Sequence, residues 1–322
     1  MPKSRVYSGV ESFSEDRELT EVTFTKGVTK IGDEAFANCS SLSTITIPDS
    51  VTTIGDYAFD GCSSLATITI PDSVTTISDG AFGRCSALAA ITIPDGVTTI
   101  FLGAFNRCSS LAAVTIPDSV TSIGDSAFWG CSSLAAITIP DGVTSIGQCA
   151  FSECSSLADI TIPDAVMMIS NGAFHGCSSL EAITIPDGMT TIGDWAFQGC
   201  SSLAAITIPD SVTTICNFAF YGCTALTRLS LSPAISIGID CFSDCTALIS
   251  AAADQNMSTV EDLLHSRWHR ILERVTVLCC LKTLLEDQNN PNPNGGEAQT
   301  LGVTAARKRL PKVMWRVILE FL

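Results

Sequence analysis

Positive charge is what this sequence has least of. Lys and Arg number 17 against 33 Asp and Glu in 322 residues, a formal net charge of −16. Proteins hold nucleic acid chiefly by neutralising its phosphates with Lys and Arg, so a chain of this sign is not expected to bind it. Histidine is nearly absent, with three in the whole chain, which leaves little material for general-base or zinc chemistry. No apolar run approaches the roughly 18 residues needed to cross a bilayer; the densest, residues 275–281, is far shorter. The opening stretch, MPKSRVYSGVESFSEDRE, is polar and holds no apolar core of signal-peptide length. The expectation is a cytoplasmic protein, or a surface or secreted one if this N-terminus is incomplete. The sequence also contains no phosphate loop, no HExxH pair and no Ser/His/Asp set with a recognisable signature. It is therefore read as a non-enzyme without cofactor or metal.

What the chain does have is a period. Leu19 recurs as Leu every 23 residues to Leu226. Phe36 recurs on the same spacing to Phe220, and Cys39 to Cys223; Phe242 and Cys245 follow one residue early. A fixed period of this size marks a stack of like units. In each unit a segment such as LATITIP (residues 65–71) alternates Ile with Thr, the pattern of a half-buried strand. Pro71 ends it and opens a tight turn. A second extended piece follows at residues 74–77, and then Gly55-Asp56-Tyr57-Ala58-Phe59 and its equivalents. There the carboxylate is expected to cap the free amides of its own helical or 3-10 turn.

One unit cannot fold alone. Burying its large apolar side chains stabilises by roughly 1.5–3 kcal/mol each, against about 1.5 kcal/mol for every residue ordered. The units must stack, with like strands pairing in parallel about 4.8 Å apart. Ten of them predict a rod of about 50 Å.

The pattern LxxIxIPxxVxxIGxxAFxxC over residues 19–248 resembles the BspA-like leucine-rich repeat family. The resemblance implies an α/β repeat solenoid, mainly β: ten 23-residue coils of parallel strands joined by short turns or 3-10 segments, in a right-handed arc with one strand face concave. It also implies interaction with other proteins, as a scaffold or, for secreted members, as an adhesin. The organisation expected is an N-terminal segment over residues 1–18, the solenoid over 19–249 and a helical cap over 250–322, with a flexible loop near 288–299.

Two residue columns invite chemistry and are read structurally. The cysteines lie at a spacing that a disulfide would accept, but stacked side chains run parallel to one another, and no CxxC or His-rich convergence makes a zinc site. They are read as buried thiols filling a place too tight for Leu. The aspartates that recur from Asp49 to Asp210 are read as turn chemistry and solubility, since calcium wants six to eight oxygens.

Recognition residues are sought where the repeats differ from one another. The strand face is monotonous, a stripe of Thr46, Thr69, Thr92 and their equivalents beside a mostly Ala column. A remote reading makes this flat Thr face an ice-binding surface. Variation is concentrated after the Phe and two residues before it. Trp129, His175, Trp195, Gln198, Phe218 and Tyr221 are therefore the candidate partner-binding residues, being enriched in the types that anchor interfaces. The C-terminal segment opens with a capping box, Ser258 with Glu261, and carries apolar residues at helical spacing. It is read as a cap over the last coil or a docking segment. His265, His269 and Glu261 share a face of that helix and are read as solvated.

Overall fold

The computed structural model describes residues 3–230 and 235–248. Each repeat contributes a strand of two or three residues, such as Thr67–Thr69, whose central Ile is buried and whose flanking residues are exposed. Successive strands pair in parallel with Thr44 opposite Thr67, Ile45 opposite Ile68 and Thr46 opposite Thr69. This register, one repeat apart, places every residue above its own equivalent. A second row of two-residue strands, from Lys30–Ile31 to Ser236–Ile237, pairs in the same way. Thr207 still pairs with Ser230, 23 residues on, but Thr214 pairs with Ser236, 22 residues on. The single-residue slip in the period thus falls between Ser230 and Ser236.

The rest of each coil forms a third stacked row, made of turns. Ala58, Asp60 and Cys62 donate their amides backward within the coil, to the carbonyls of Gly55, Tyr57 and Phe59. Tyr57, Phe59 and Gly61 donate instead to Asp79, Ala81 and Gly83 of the next coil, at 2.7–2.8 Å. Amides that alternate in this way require the backbone to reverse its hand, and it does so twice per coil. One left-handed position is the column of Tyr57, Gly80 and Gly103; the other is that of Gly61, Arg84 and Arg107.

This geometry corrects the expected role of the Asp in the turn. The Asp125 carboxylate accepts the amide of Gln148 in the next coil at 2.6 Å, and Asn171, Asp194 and Asn217 do the same for Asp194, Asn217 and Ile239. The side chain ties coil to coil and does not cap a helical turn of its own. Gly147 keeps that approach open, because a Cβ there would lie 2.4 Å from the Asp125 amide nitrogen.

Two inner columns hold the stack together. The Phe rings from Phe36 to Phe242 lie face to face at centroid separations of 5.1–5.7 Å, with planes within 11° of parallel. Such pairs add about 0.5–1.5 kcal/mol each beyond the burial itself. Every column cysteine is buried, and those from Cys39 to Cys223 are free thiols. Each thiol donates to the carbonyl of the Phe one coil back, Cys131 to Phe105 and Cys154 to Phe128, both at 3.2 Å. The sulfur row therefore fills space and also supplies an inter-coil hydrogen bond. Burial pushes the thiols up, Cys39 to about 11 and Cys108 and Cys154 to about 12.

Residues ahead of Leu19 are built onto the stack. Strand β1 (Lys3–Tyr7) pairs in parallel with β2 (Leu19–Phe24). Phe13 takes the Phe place, in contact with Phe36 at 5.8 Å, and its carbonyl accepts the Cys39 thiol. Asp16 takes the cysteine place and is paired with Lys3 at 2.7 Å, which lowers its carboxyl below the usual range. Tyr7 closes the end of the ring column over Phe36 and receives the Gly32 amide on its hydroxyl at 2.7 Å. The expected helical segment over 250–322, its loop near 288–299, the Ser258 capping box and His265 and His269 lie outside the described residues.

Candidate functional site

The two strand rows offer little for a partner to grip. Most of their outward residues are Thr, Ser or Ala, with charged exceptions at Glu21, Lys30, Asp159 and Arg228, and just ahead of the second row the Thr52, Thr121 and Thr144 hydroxyls already donate to the carbonyl of the preceding coil. Large apolar side chains do break the pattern in places. Met168, in the second strand row, and Met167 just ahead of it are exposed, and Phe101 and Leu102 stand where four other coils have Gly-Asp. Nothing in the period foretold these four, although each is visible as a departure from it.

The turn row is where the six candidate residues lie, and the structure separates them. Trp195 and Phe218 are stacked at 6.2 Å with planes 9° apart, and Tyr221 meets Phe218 edge-on at 6.1 Å. These three form one aromatic surface. Ile239, exposed at 71%, adjoins it, and its carbonyl accepts the Phe218 amide at 2.9 Å. The Asp244 carboxylate faces the Tyr221 hydroxyl and raises its pKa. Ile239 and Asp244 follow the one-residue slip, so counting repeats from the sequence did not group them with Trp195.

Trp195 and Phe218 occupy the left-handed column at φ 56°, which other coils fill with glycine at Gly80, Gly103 and Gly172 and with Glu34, Tyr57, Ser126, Cys149 and Asp240. For residues with a side chain that conformation costs roughly 1–2 kcal/mol. Trp195 remains 45% exposed, so burial does not offset the cost.

The other three candidates are placed apart from this surface or beside it. Trp129 is covered by Arg107 of the preceding coil, whose guanidinium carbon lies 4.4 Å from the ring centre. His175 sits beside the previous coil, with Nδ1 3.2 Å from the Ser152 hydroxyl and 3.4 Å from Glu153. Both oxygens approach one ring nitrogen, whereas activating a serine needs hydroxyl and acid on opposite nitrogens. Gln198 is half-exposed and occupies the column between His175 and Tyr221. Among the described residues no three His, Cys, Asp or Glu side chains converge as metal ligands, and no helix is long and apolar enough to cross a membrane.

Comparison with known proteins matches the fold. The model of the BspA type Leucine rich repeat region (6 copies) fits residues 8–135, 86–187, 121–249 and 167–284. No curated protein matches the chain. Among solved structures, a leucine rich cell surface protein from Faecalibacterium prausnitzii A2-165 is 35% identical, with 76% of this chain and 81% of that one covered and a TM-score of 0.48. A leucine-rich repeat protein from Bacteroides ovatus ATCC 8483 is 27% identical over 77% of this chain and 86% of that one, with a TM-score of 0.43. The T. pallidum Leucine Rich Repeat protein is 28% identical over 63% and 78%, with a TM-score of 0.42.

Proposed function

Because this chain belongs to the BspA-type leucine-rich repeat family, we propose that it is a non-enzymatic scaffold that binds another protein through the Trp195, Phe218 and Tyr221 surface. The observation that carries the reading is the exposed tryptophan in left-handed backbone. Glycine serves that position in other coils at no steric cost, so the aromatics are not needed to build the coil. Tryptophan and tyrosine are also the side chains that most often dominate binding energy at interfaces. The non-enzymatic part is supported by the thiols, which burial holds protonated, and by the one-sided contacts of His175.

Capture from a lysate of the source cells tests this. Wild type is compared with the Trp195→Ala/Tyr221→Ala double variant and with a Thr92→Ala/Thr115→Ala control on the strand face. The reading expects a protein retained by wild type and by the control and lost from the double variant. Equal capture by all three would remove this surface from the account.

A second reading, an adhesin-like surface protein, follows from the same family membership. Imaging a tagged chain separates the two: the scaffold reading places it in the cytoplasm, in keeping with the free thiols from Cys39 to Cys223, and the adhesin reading at the cell surface.

A further inference from the structure

Beside the aromatic surface runs a strip without side chains. The second left-handed column reads Glu153, Gly176, Gly199, Gly222 and Asp244, so that three successive glycines are closed at each end by a carboxylate. A Cβ built on Gly199 or Gly222 would meet only the backbone of the glycine below it, at 3.8–3.9 Å. The space over Gly199 and Gly222 is open, and at Gly176 the Glu153 carboxylate folds over the backbone, 3.0 Å from where a Cβ would stand. Tyr221, Gln198 and His175 border the strip, each next to one of the glycines.

The same scaffold shows what fits such a place. Arg107 belongs to this column, and its guanidinium lies over Trp129, the residue 22 positions on. The residue 22 positions before Tyr221 is Gly199. The cation that Trp129 receives from its own chain is therefore missing at Tyr221, whose hydroxyl faces the Asp244 carboxylate. At the other end, Glu153 is 54% exposed. The chain's formal charge of −16 draws a cationic partner from a distance.

We propose that the strip over Gly176, Gly199 and Gly222 seats an extended basic segment of a partner protein, with one arginine on Tyr221 and Asp244 and a second at Glu153. Four coil steps of about 4.8 Å span about 19 Å, the length of roughly six residues of extended chain at about 3.3 Å each. The two arginines are thus about six positions apart. Arginine suits the seat better than lysine, because its planar guanidinium stacks on a ring and pairs with a carboxylate together. This inference rests on the reading that this face binds protein, and it names the chemistry of the partner.

The test uses a capped peptide with two arginines six positions apart in a Gly/Ser background, titrated into the full chain by calorimetry. Its companions are the same peptide with citrulline at both places and one with the arginines adjacent. The proposal expects saturable binding that weakens at least tenfold with citrulline, weakens several-fold with adjacent arginines and falls as salt is raised. In the protein, Gly199→Arg supplies an internal guanidinium at a position where Arg84 and Arg107 are already accommodated with positive φ. It should abolish binding with the melting temperature little changed. Asp244→Asn, which keeps the backbone as it is, should weaken binding at least tenfold. Equal binding of the citrulline peptide, an unaffected Gly199→Arg variant, or no saturation would each overturn the proposal. If a captured protein partner is lost with Trp195→Ala/Tyr221→Ala but kept with Gly199→Arg, the scaffold reading stands and the basic segment falls.

Discussion

The inner and outer columns of the turn row share one backbone and differ in how far they vary. Inside, the Phe and Cys columns are uniform from Phe36 and Cys39 onward. Outside, one residue away in sequence, the column after the Phe runs through Asp60, Asn106, Trp129, His175 and Tyr221. The difference follows from contacts. Each inner side chain is floor to one neighbour and ceiling to the other, so a change at one coil disturbs three. An outer side chain meets water on one side and can vary alone. In a stack of near-identical coils, departures from the repeat are therefore informative mainly where they cost something, as at Trp195 and Phe218 in left-handed backbone.

The largest expected break of this contrast is by alkali. Thiols in an unfolded chain release protons near pH 8.5, whereas Cys39 is held up to about 11 and Cys108 and Cys154 to about 12. Between those limits the folded chain binds more protons than the unfolded one. Stability should then be constant through neutral pH and fall from about pH 8.5 upward, by about 1.4 kcal/mol per pH unit for each buried thiol. Denaturant unfolding at a series of pH values reads this slope, and Cys131→Ala should reduce it by one thiol's share. A flat profile to pH 10 would contradict the buried sulfur column.

Next in size is a hole in the ring column. Phe128→Ala, between Phe105 and Phe151, should cost about 3–5 kcal/mol. Thr115→Ala, on the strand face, should stay within about 0.5 kcal/mol. Similar losses at the two sites would erase the distinction between inside and outside. The smallest expected effect is at the exposed left-handed column. Trp195→Gly relieves backbone strain of roughly 1–2 kcal/mol and gives up stacking on Phe218 of about 0.5–1.5 kcal/mol. Thermal unfolding should move little, while partner capture is lost; a large drop in stability with binding intact would make Trp195 a structural residue.

Most of the solenoid could be read from the period alone, because stacking demands that Leu, Ile, Phe and Cys repeat in place. Three things were hidden, each for a physical reason. The Asp in the turn looks like a local cap, since its true acceptor role links residues 23 apart, as Asp125 to Gln148. The coil ahead of Leu19 was missed because Asp16 stands where cysteine is expected, although Phe13 keeps the 23-residue spacing to Phe36. Of the six candidate residues, Trp195, Phe218 and Tyr221 come together because adjacent coils carry them. Trp129 and His175 lie in other coils and have partners of their own in Arg107 and in Ser152 and Glu153. Ile239 and Asp244 belong beside the aromatic surface but follow the register slip, which breaks the count that would have assigned them.

Thiol labelling of the native chain, read residue by residue by mass spectrometry, tests the stacked-coil account most directly. Cys149 and Cys216, which are partly exposed, should react first, and the buried column from Cys62 to Cys223 should stay unmodified until the protein is unfolded. Rapid modification of Cys108, Cys131 and Cys154 under native conditions would contradict it.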